Sequence, residues 1–147
     1  MSDSDPSLLN LFTQSNYSRS MGFRLASASA GSASIECLVA DAHANTRGVC
    51  HGGVISGLMD MAAGVATKSL FEDKGRAVAT VSLTVNYQRP AQVGRTLTAR
   101  ATVRSGRRIV SCEVLVEDDL GEPIALGLAT VDVRRRDPSS GQDPGAA

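Results

Sequence analysis

One stretch constrains the fold more than any other. From Cys50 to Leu70 the chain is rich in Ala, Met, Leu and Val and carries no proline, about the length of one well-formed helix. Beyond "EDKGR" the chain changes character and becomes a series of strand-forming runs: "AVATVSLTVNYQR", "TLTARATVRS", "RRIVSCEVLVED" and "PIALGLATVDVRR". Pro90 and Gly94, Ser105 and Gly106, and "DDLGEP" supply turn chemistry between them. Ahead of the helix, "MGFRLASASA" and "SASIECLVA" flank Gly31 with hairpin spacing. Two strands, one long helix and four strands with hairpin-length connections predict an α+β architecture, an antiparallel sheet of about six strands with the helix packed on one face. Alternation within "TVSLTVNY" assigns Val81, Leu83, Val85 and Tyr87 to one face and Thr80, Ser82, Thr84 and Asn86 to the other.

A chain of 147 residues has room for one hydrophobic core and little more. We divide it into an N-terminal helical lead over 1–20, one domain over 21–136 and a disordered tail over 137–147. In the lead, "DPSLLNLF" suits one or two helical turns capped by Asp5 or Ser7, with Leu8, Leu9, Leu11 and Phe12 free to pack. The tail "RDPSSGQDPGAA" has almost nothing apolar to bury. Fifteen Lys and Arg balance fifteen Asp and Glu, which removes the strongly basic character that nucleic acid as a main partner would require. Three cysteines without C-x-x-C spacing argue against a disulfide framework and against a thiolate zinc site. No segment approaches the roughly 20 apolar residues of a membrane span, and the N-terminus lacks a basic, apolar leader. The expectation is a cytoplasmic protein with no membrane partner.

The chemistry gathers at the start of the helix, in "NTRGVCHGGVISGLMD". A helix N-terminus presents unpaired N–H groups and partial positive charge, and glycines there let a ligand oxygen reach the main chain. Two readings of "HGG" stand: an oxyanion site, or two glycines easing a tight loop into the helix. Asp60 bears on the choice. It lies two turns after Gly53, among Leu58, Met59, Met61, Ala62 and Ala63, with no Lys or Arg at i±3 or i±4 to pair with it. Helix stability does not explain it; a solvent-facing edge would, but few polar neighbours mark such an edge.

These residues carry a resemblance. "HGG" with an Asp nine residues after the His, Asn45 six residues before it, and the subsequent "AVATVSLTVNYQRPA" resemble the hotdog-fold acyl-CoA thioesterases of the phenylacetic-acid-degradation, or PaaI-like, type. The likeness spans about Met21 to Arg135. It implies a hotdog fold, the long helix wrapped by the antiparallel sheet, and a homo-oligomer, dimer or tetramer, with each active site between subunits. It implies an acyl-CoA substrate, with Asp60 as general base on water or as nucleophile, and with the Gly52 backbone N–H polarising the thioester carbonyl. His51 and Asn45 match positions that hold the loop and contact the thioester or the water, and Gly53 belongs to the same turn. Thr80 matches a hydroxyl on the next strand that orients water, with Ser82 two residues on.

Other arrangements compete with this one. Cys50 beside His51 suggests a thiolate nucleophile, but adjacent helical residues point about 100° apart, so a buried structural Cys fits better. His43, His51 and Asp60 lack the spacing of a metal set. No metal and no cofactor are expected. Arg107, Arg108 and Arg134, with Arg104 and the rest of "RRR", either meet coenzyme A phosphates or form an ordinary basic edge. Two further functions compete with thioester hydrolysis: a non-catalytic acyl-CoA-binding hotdog protein, and an acyl-thioester dehydratase or hydratase, whose His-based motif is missing here. The nature of the acyl group stays open.

Overall fold

The computed structural model describes residues 8–9, 12, 14–71, 75–137 and 139. The expected disordered tail lies almost wholly outside these residues, as does much of the first turn of the lead. Within that lead Leu8 and Phe12 are buried and Leu9 is exposed. A short helix that the sequence reading did not separate, α1 (Asn16–Met21), comes next. Ser15 caps it by accepting from the Ser18 N–H, and Gly22, at φ 68, ends it in the left-handed conformation.

Strands β1 (Phe23–Ser29) and β2 (Ser32–Leu38) form a hairpin whose turn residues, Ala30 and Gly31, both have positive φ, 48 and 86. That pairing of left-handed conformations matches the twist of the strands it joins. A 3₁₀ turn (Asp41–His43) leads to the long helix α2 (Gly52–Lys68), and then come β3 (Arg76–Tyr87), β4 (Thr96–Ser105), β5 (Ile109–Asp118) and β6 (Pro123–Arg135). The six strands make one antiparallel sheet in the order β1-β2-β4-β5-β6-β3. The α+β hotdog arrangement is therefore present, and α2 touches all six strands.

The pattern of α2 explains how the sheet can wrap it. Val54, Ile55, Leu58, Met59, Ala62, Ala63 and Ala66 recur at helical spacing and are buried. The alanines bring the helix close to the sheet, and Leu58 and Met59 fill the space among Ile35, Leu97, Val114 and Val131, all essentially without exposure. Gly127 of β6 serves the same close approach: a side-chain carbon there would overlap the Thr84 carbonyl oxygen and lie 2.9 Å from the Met59 methyl. The other side of α2, with Gly53, Ser56, Gly57, Asp60, Met61 and Gly64, is exposed or only half-buried. No helix among the described residues is long and apolar enough to cross a membrane.

One sequence expectation fails in β3. Thr80 pairs with Val131 and Ser82 with Thr130, leaving Val81 as an extra residue, a β-bulge. An extra residue reverses the in-and-out alternation. Val78 on one side of it and Leu83 and Val85 on the other all pack against the core, while Val81 is 63% exposed. Partners across a ladder share a face, so Thr80 lies on the same side as the buried Val131, and Ser82 points the other way. Thr80 and Ser82 do not share a face, and Val81 does not join Leu83.

Candidate active site

His51 is the N-cap of α2. Its extended backbone, φ −63 and ψ 136, turns the ring back so that Nδ1 accepts from the Gly53 N–H at 2.8 Å. In the neutral ring the hydrogen therefore sits on Nε2. Gly53 has to be small, because a side-chain carbon on it would lie 2.9 Å from that same Nδ1. Val54 and Ile55 donate to the His51 carbonyl, which takes up the next two N–H groups. Among the described residues the Gly52 N–H is left with no acceptor. An unspent donor at the positive end of a 17-residue helix is an anion-seeking group.

The loop before the cap is held by Asn45. Its Oδ1 accepts from the N–H of Arg47 at 2.8 Å and of Val49 at 3.4 Å, and its backbone pairs with Val49 and Gly48. Beneath it the buried His43 accepts from the Ala40 N–H through Nδ1 and offers its carbonyl to the His51 N–H at 2.7 Å. His43 is thus a strut of the loop. Cys50 is buried as well; burial, and after it the neighbouring Cys37, pushes its thiol up to about 11, so at neutral pH it is no thiolate nucleophile.

Tyr87, at the end of β3, covers Gly52. Its hydroxyl donates to the Gly52 carbonyl at 3.0 Å, and a side-chain carbon on Gly52 would stand 3.3 Å from its ring. Around this contact opens a cavity of about 610 Å³ whose walls include Asn45, Arg47, Gly52, Tyr87 and Arg89. Sequence reasoning named Asn45 and Gly52 but missed the other three; "NYQRP" and "NTRG" carried them as loop and strand ends.

Asp60 stands apart from that cavity. It is half-buried on the open side of α2, and among the described residues no cation or hydrogen-bond donor lies within bonding distance of its carboxylate. Eight residues of helix separate it from Gly52, about 12 Å at 1.5 Å per residue. Thr80 and Ser82 are exposed on opposite faces of β3. The arginines form a third group. Arg108 and Arg134 flank the buried Asp132 at 3.7 and 2.6 Å, while Arg107 is exposed with no ion pair among the described residues. Arg134 neighbours Ala77 near the start of β3, and Tyr87 ends that strand, ten residues and about 33 Å further on.

Comparison with known proteins fits this architecture. The family model of the thioesterase superfamily matches residues 47–125. An Archaeoglobus fulgidus protein, provisionally named an esterase, is 31% identical over 102 residues; the match takes in 69% of this chain but only 64% of that relative's length. The PaaI protein of the phenylacetic acid degradation operon of E. coli superposes with a TM-score of 0.78 at 25% identity, over 87% of this chain and 89% of its own. A Streptococcus mutans protein solved with acetyl CoA bound gives a TM-score of 0.71 at 26% identity, over 78% and 91%. A helix capped by "HGG", a carboxylate two turns along it, the six-stranded wrap and a family match over more than half the chain agree, and the chain belongs to the thioesterase superfamily, among its PaaI-like hotdog members.

Proposed function

We propose that this chain hydrolyses the thioester of an acyl- or arylacyl-CoA. The observation that carries the reading is the unspent N–H of Gly52 at the start of α2. Aimed at the thioester oxygen, it stabilises the negative charge that grows as the carbonyl carbon becomes tetrahedral, a contribution of roughly 3–4 kcal/mol for such a donor. Asp60 either takes a proton from the attacking water or attacks the carbonyl carbon itself. The C–S bond then breaks and the thiolate leaves and is protonated to CoA; on the first route the free acid results directly, and on the second water hydrolyses the mixed anhydride formed on Asp60, releasing the acid and restoring the carboxylate. The Streptococcus mutans relative with acetyl CoA bound supports the substrate class.

The 12 Å between Gly52 and Asp60 along one helix is well beyond the reach of an Asp side chain, which favours a site shared by two copies. The pair works when two copies meet. A two-fold axis that sets residue 52 of one α2 against residue 60 of an antiparallel partner passes beside residue 56. The open face there carries Gly53 and Ser56, small enough for two helices to approach closely, while Tyr17 covers the next residue, Gly57. β3 suits the same union: it is an edge strand of 12 residues with an unpaired row of backbone groups and an outward Val81. Antiparallel joining of two such edges also brings the Arg134 end of one copy toward the Tyr87 end of the other. In that arrangement His51 and Asn45 hold the loop under the thioester, Gly53 secures the cap, Thr80 faces inward where it can orient water, and Ser82, Arg107, Arg108 and Arg134 border the approach of CoA.

The test is hydrolysis of a panel of acyl-CoA esters, monitored by free-thiol detection, for the parent and Asp60→Asn. The substitution keeps size while removing base and nucleophile, so kcat falls roughly 10²-fold or more. Thermal unfolding stays level or rises, since a carboxylate without partners on a small-residue face gives little to stability. An Asp60→Asn protein with the parental rate overturns the assignment in favour of an acyl-CoA binder. A monomer in light scattering at micromolar concentration overturns the shared site.

A further inference from the structure

Tyr17 stands where no sequence motif drew attention. α1 lays this residue across the open side of α2, with its hydroxyl in the space that a side chain on Gly57 would occupy; a carbon there would overlap the phenol oxygen. The ring is held edge-on by the buried Phe23, centroids 5.7 Å apart at 86°, and remains 45% exposed. Gly57 and Asp60 are three residues apart and hence neighbours on one helix face. One turn beyond Asp60, Gly64 opens on empty space. The carboxylate therefore has the Tyr17 ring near it on the Gly57 side, and among the described residues no atom lies within 4 Å of where a side chain on Gly64 would begin.

We propose that Tyr17 sets which acyl groups the site accepts, its ring forming the wall that the acyl chain meets after the thioester, fixed beside Asp60 by the hydroxyl seated on Gly57. This rests on the thioesterase reading and adds the direction of the acyl group. The cavity with Arg47 and Arg89 lies at Gly52 and takes the CoA arm, so the acyl group leaves the carbonyl on the other side, past the partner's Asp60 and onto the partner's Tyr17. The proximity has an electrostatic trace as well. Partial burial, and after it the negative charge of Asp60, holds the Tyr17 phenol above its ordinary value of 10.0.

The experiment compares affinities for non-hydrolysable S-ethyl-CoA, S-octyl-CoA and S-(2-phenylethyl)-CoA by calorimetry, alongside hydrolysis of the matching thioesters. Tyr17→Ala is expected to change the octyl-to-ethyl and phenylethyl-to-ethyl preferences by about tenfold, while affinity for free CoA stays within about twofold. Gly57→Ala displaces the phenol and shifts the same ratios; combined with Tyr17→Phe, which vacates the hydroxyl's space for the new methyl, it restores them. A uniform loss across all ligands, or unchanged ratios, overturns the proposal and leaves Tyr17 as a structural brace. Altered thioether selectivity in a protein that turns over no thioester upholds Tyr17 and removes the hydrolase reading. Asp60-dependent hydrolysis with unaltered ratios does the reverse. Failure of the parent to bind any thioether overturns both.

Discussion

Replacing Gly52 by proline removes the amide hydrogen of the proposed mechanism and sets the ring's Cδ where that hydrogen stood. Proline is favoured at the first position of a helix, where its missing N–H has no helical acceptor to lose. The residue before a proline must be extended, and His51 already has φ −63 and ψ 136. The added carbons face the Tyr87 ring, 3.3 Å from where a side-chain carbon begins, so the ring must yield by a few tenths of an ångström. Gly52→Ala makes the same demand and keeps the N–H, which makes it the control. Loss of an oxyanion donor costs about 2.7–4 kcal/mol of transition-state stabilisation, 10²- to 10³-fold in kcat, and the Cδ crowds the carbonyl oxygen, so KM also rises in Gly52→Pro but not in Gly52→Ala. Gly52→Ala should retain activity within about tenfold of the parent. Mixing adds a second readout. After denaturation and refolding of Gly52→Pro with Asp60→Asn in equal amounts, half of the dimers are mixed, and each pairs an intact Gly52 with an intact Asp60 at one of two sites. Activity should return to roughly a quarter of the parental value from two nearly inactive proteins. Equal losses in Gly52→Pro and Gly52→Ala refute the role of the N–H, and no recovery on mixing refutes the site shared between copies.

Two other expectations concern charge. Removing Arg47, which borders the Gly52 cavity, or Arg107, which has no ion pair among the described residues, should raise KM and the inhibition constant of free CoA about tenfold, with kcat nearly constant; unchanged constants in both variants would make these arginines plain surface. The cysteines supply a pH dependence. Burial pushes the thiols of Cys37, Cys50 and Cys112 from 9.0 up to about 11, so between those values the unfolded chain gives up protons that the folded chain keeps. Stability should hold below pH 9 and fall as pH rises toward 11. Urea midpoints measured across that range, with Cys112→Ala flattening part of the slope, check it; a level profile would refute it.

The order of elements was legible because the proline-free run of α2 and the turn residues between the strands leave few alternatives. α1 was not, although its signals are ordinary: Ser15 to start it and Gly22 to stop it. Its sequence, "NYSRSM", has no apolar periodicity to announce a helix. The bulge at Val81 escaped for another reason. "AVATVSLTVNY" alternates well enough on either side of Val81 that a change of phase leaves no mark in the pattern; only the ladder to β6 reveals it. In the site, "HGG" and Asp60 could be read because both lie on one continuous helix. Tyr87 over Gly52 and Tyr17 over Gly57 could not, since each joins residues far apart in the chain through the packing of a separate element. That each of the two tyrosines rests on a glycine of α2 is the sort of fact that spacing does not encode.

The placement of β3 at the edge has a consequence for the order in which the molecule can be made. Among the described residues its one partner in the sheet is β6, with Arg76 against Arg135 and Tyr87 against Ala125, so the ladder closes long loops and its entropic cost is met late. During synthesis α2 and β3 leave the ribosome well before the strand that secures β3. Until that last strand arrives, Tyr87 has no ladder to hold it over Gly52. A chain cut short of Pro123 keeps every residue proposed to carry the chemistry except Arg134, and lacks the support that aligns them.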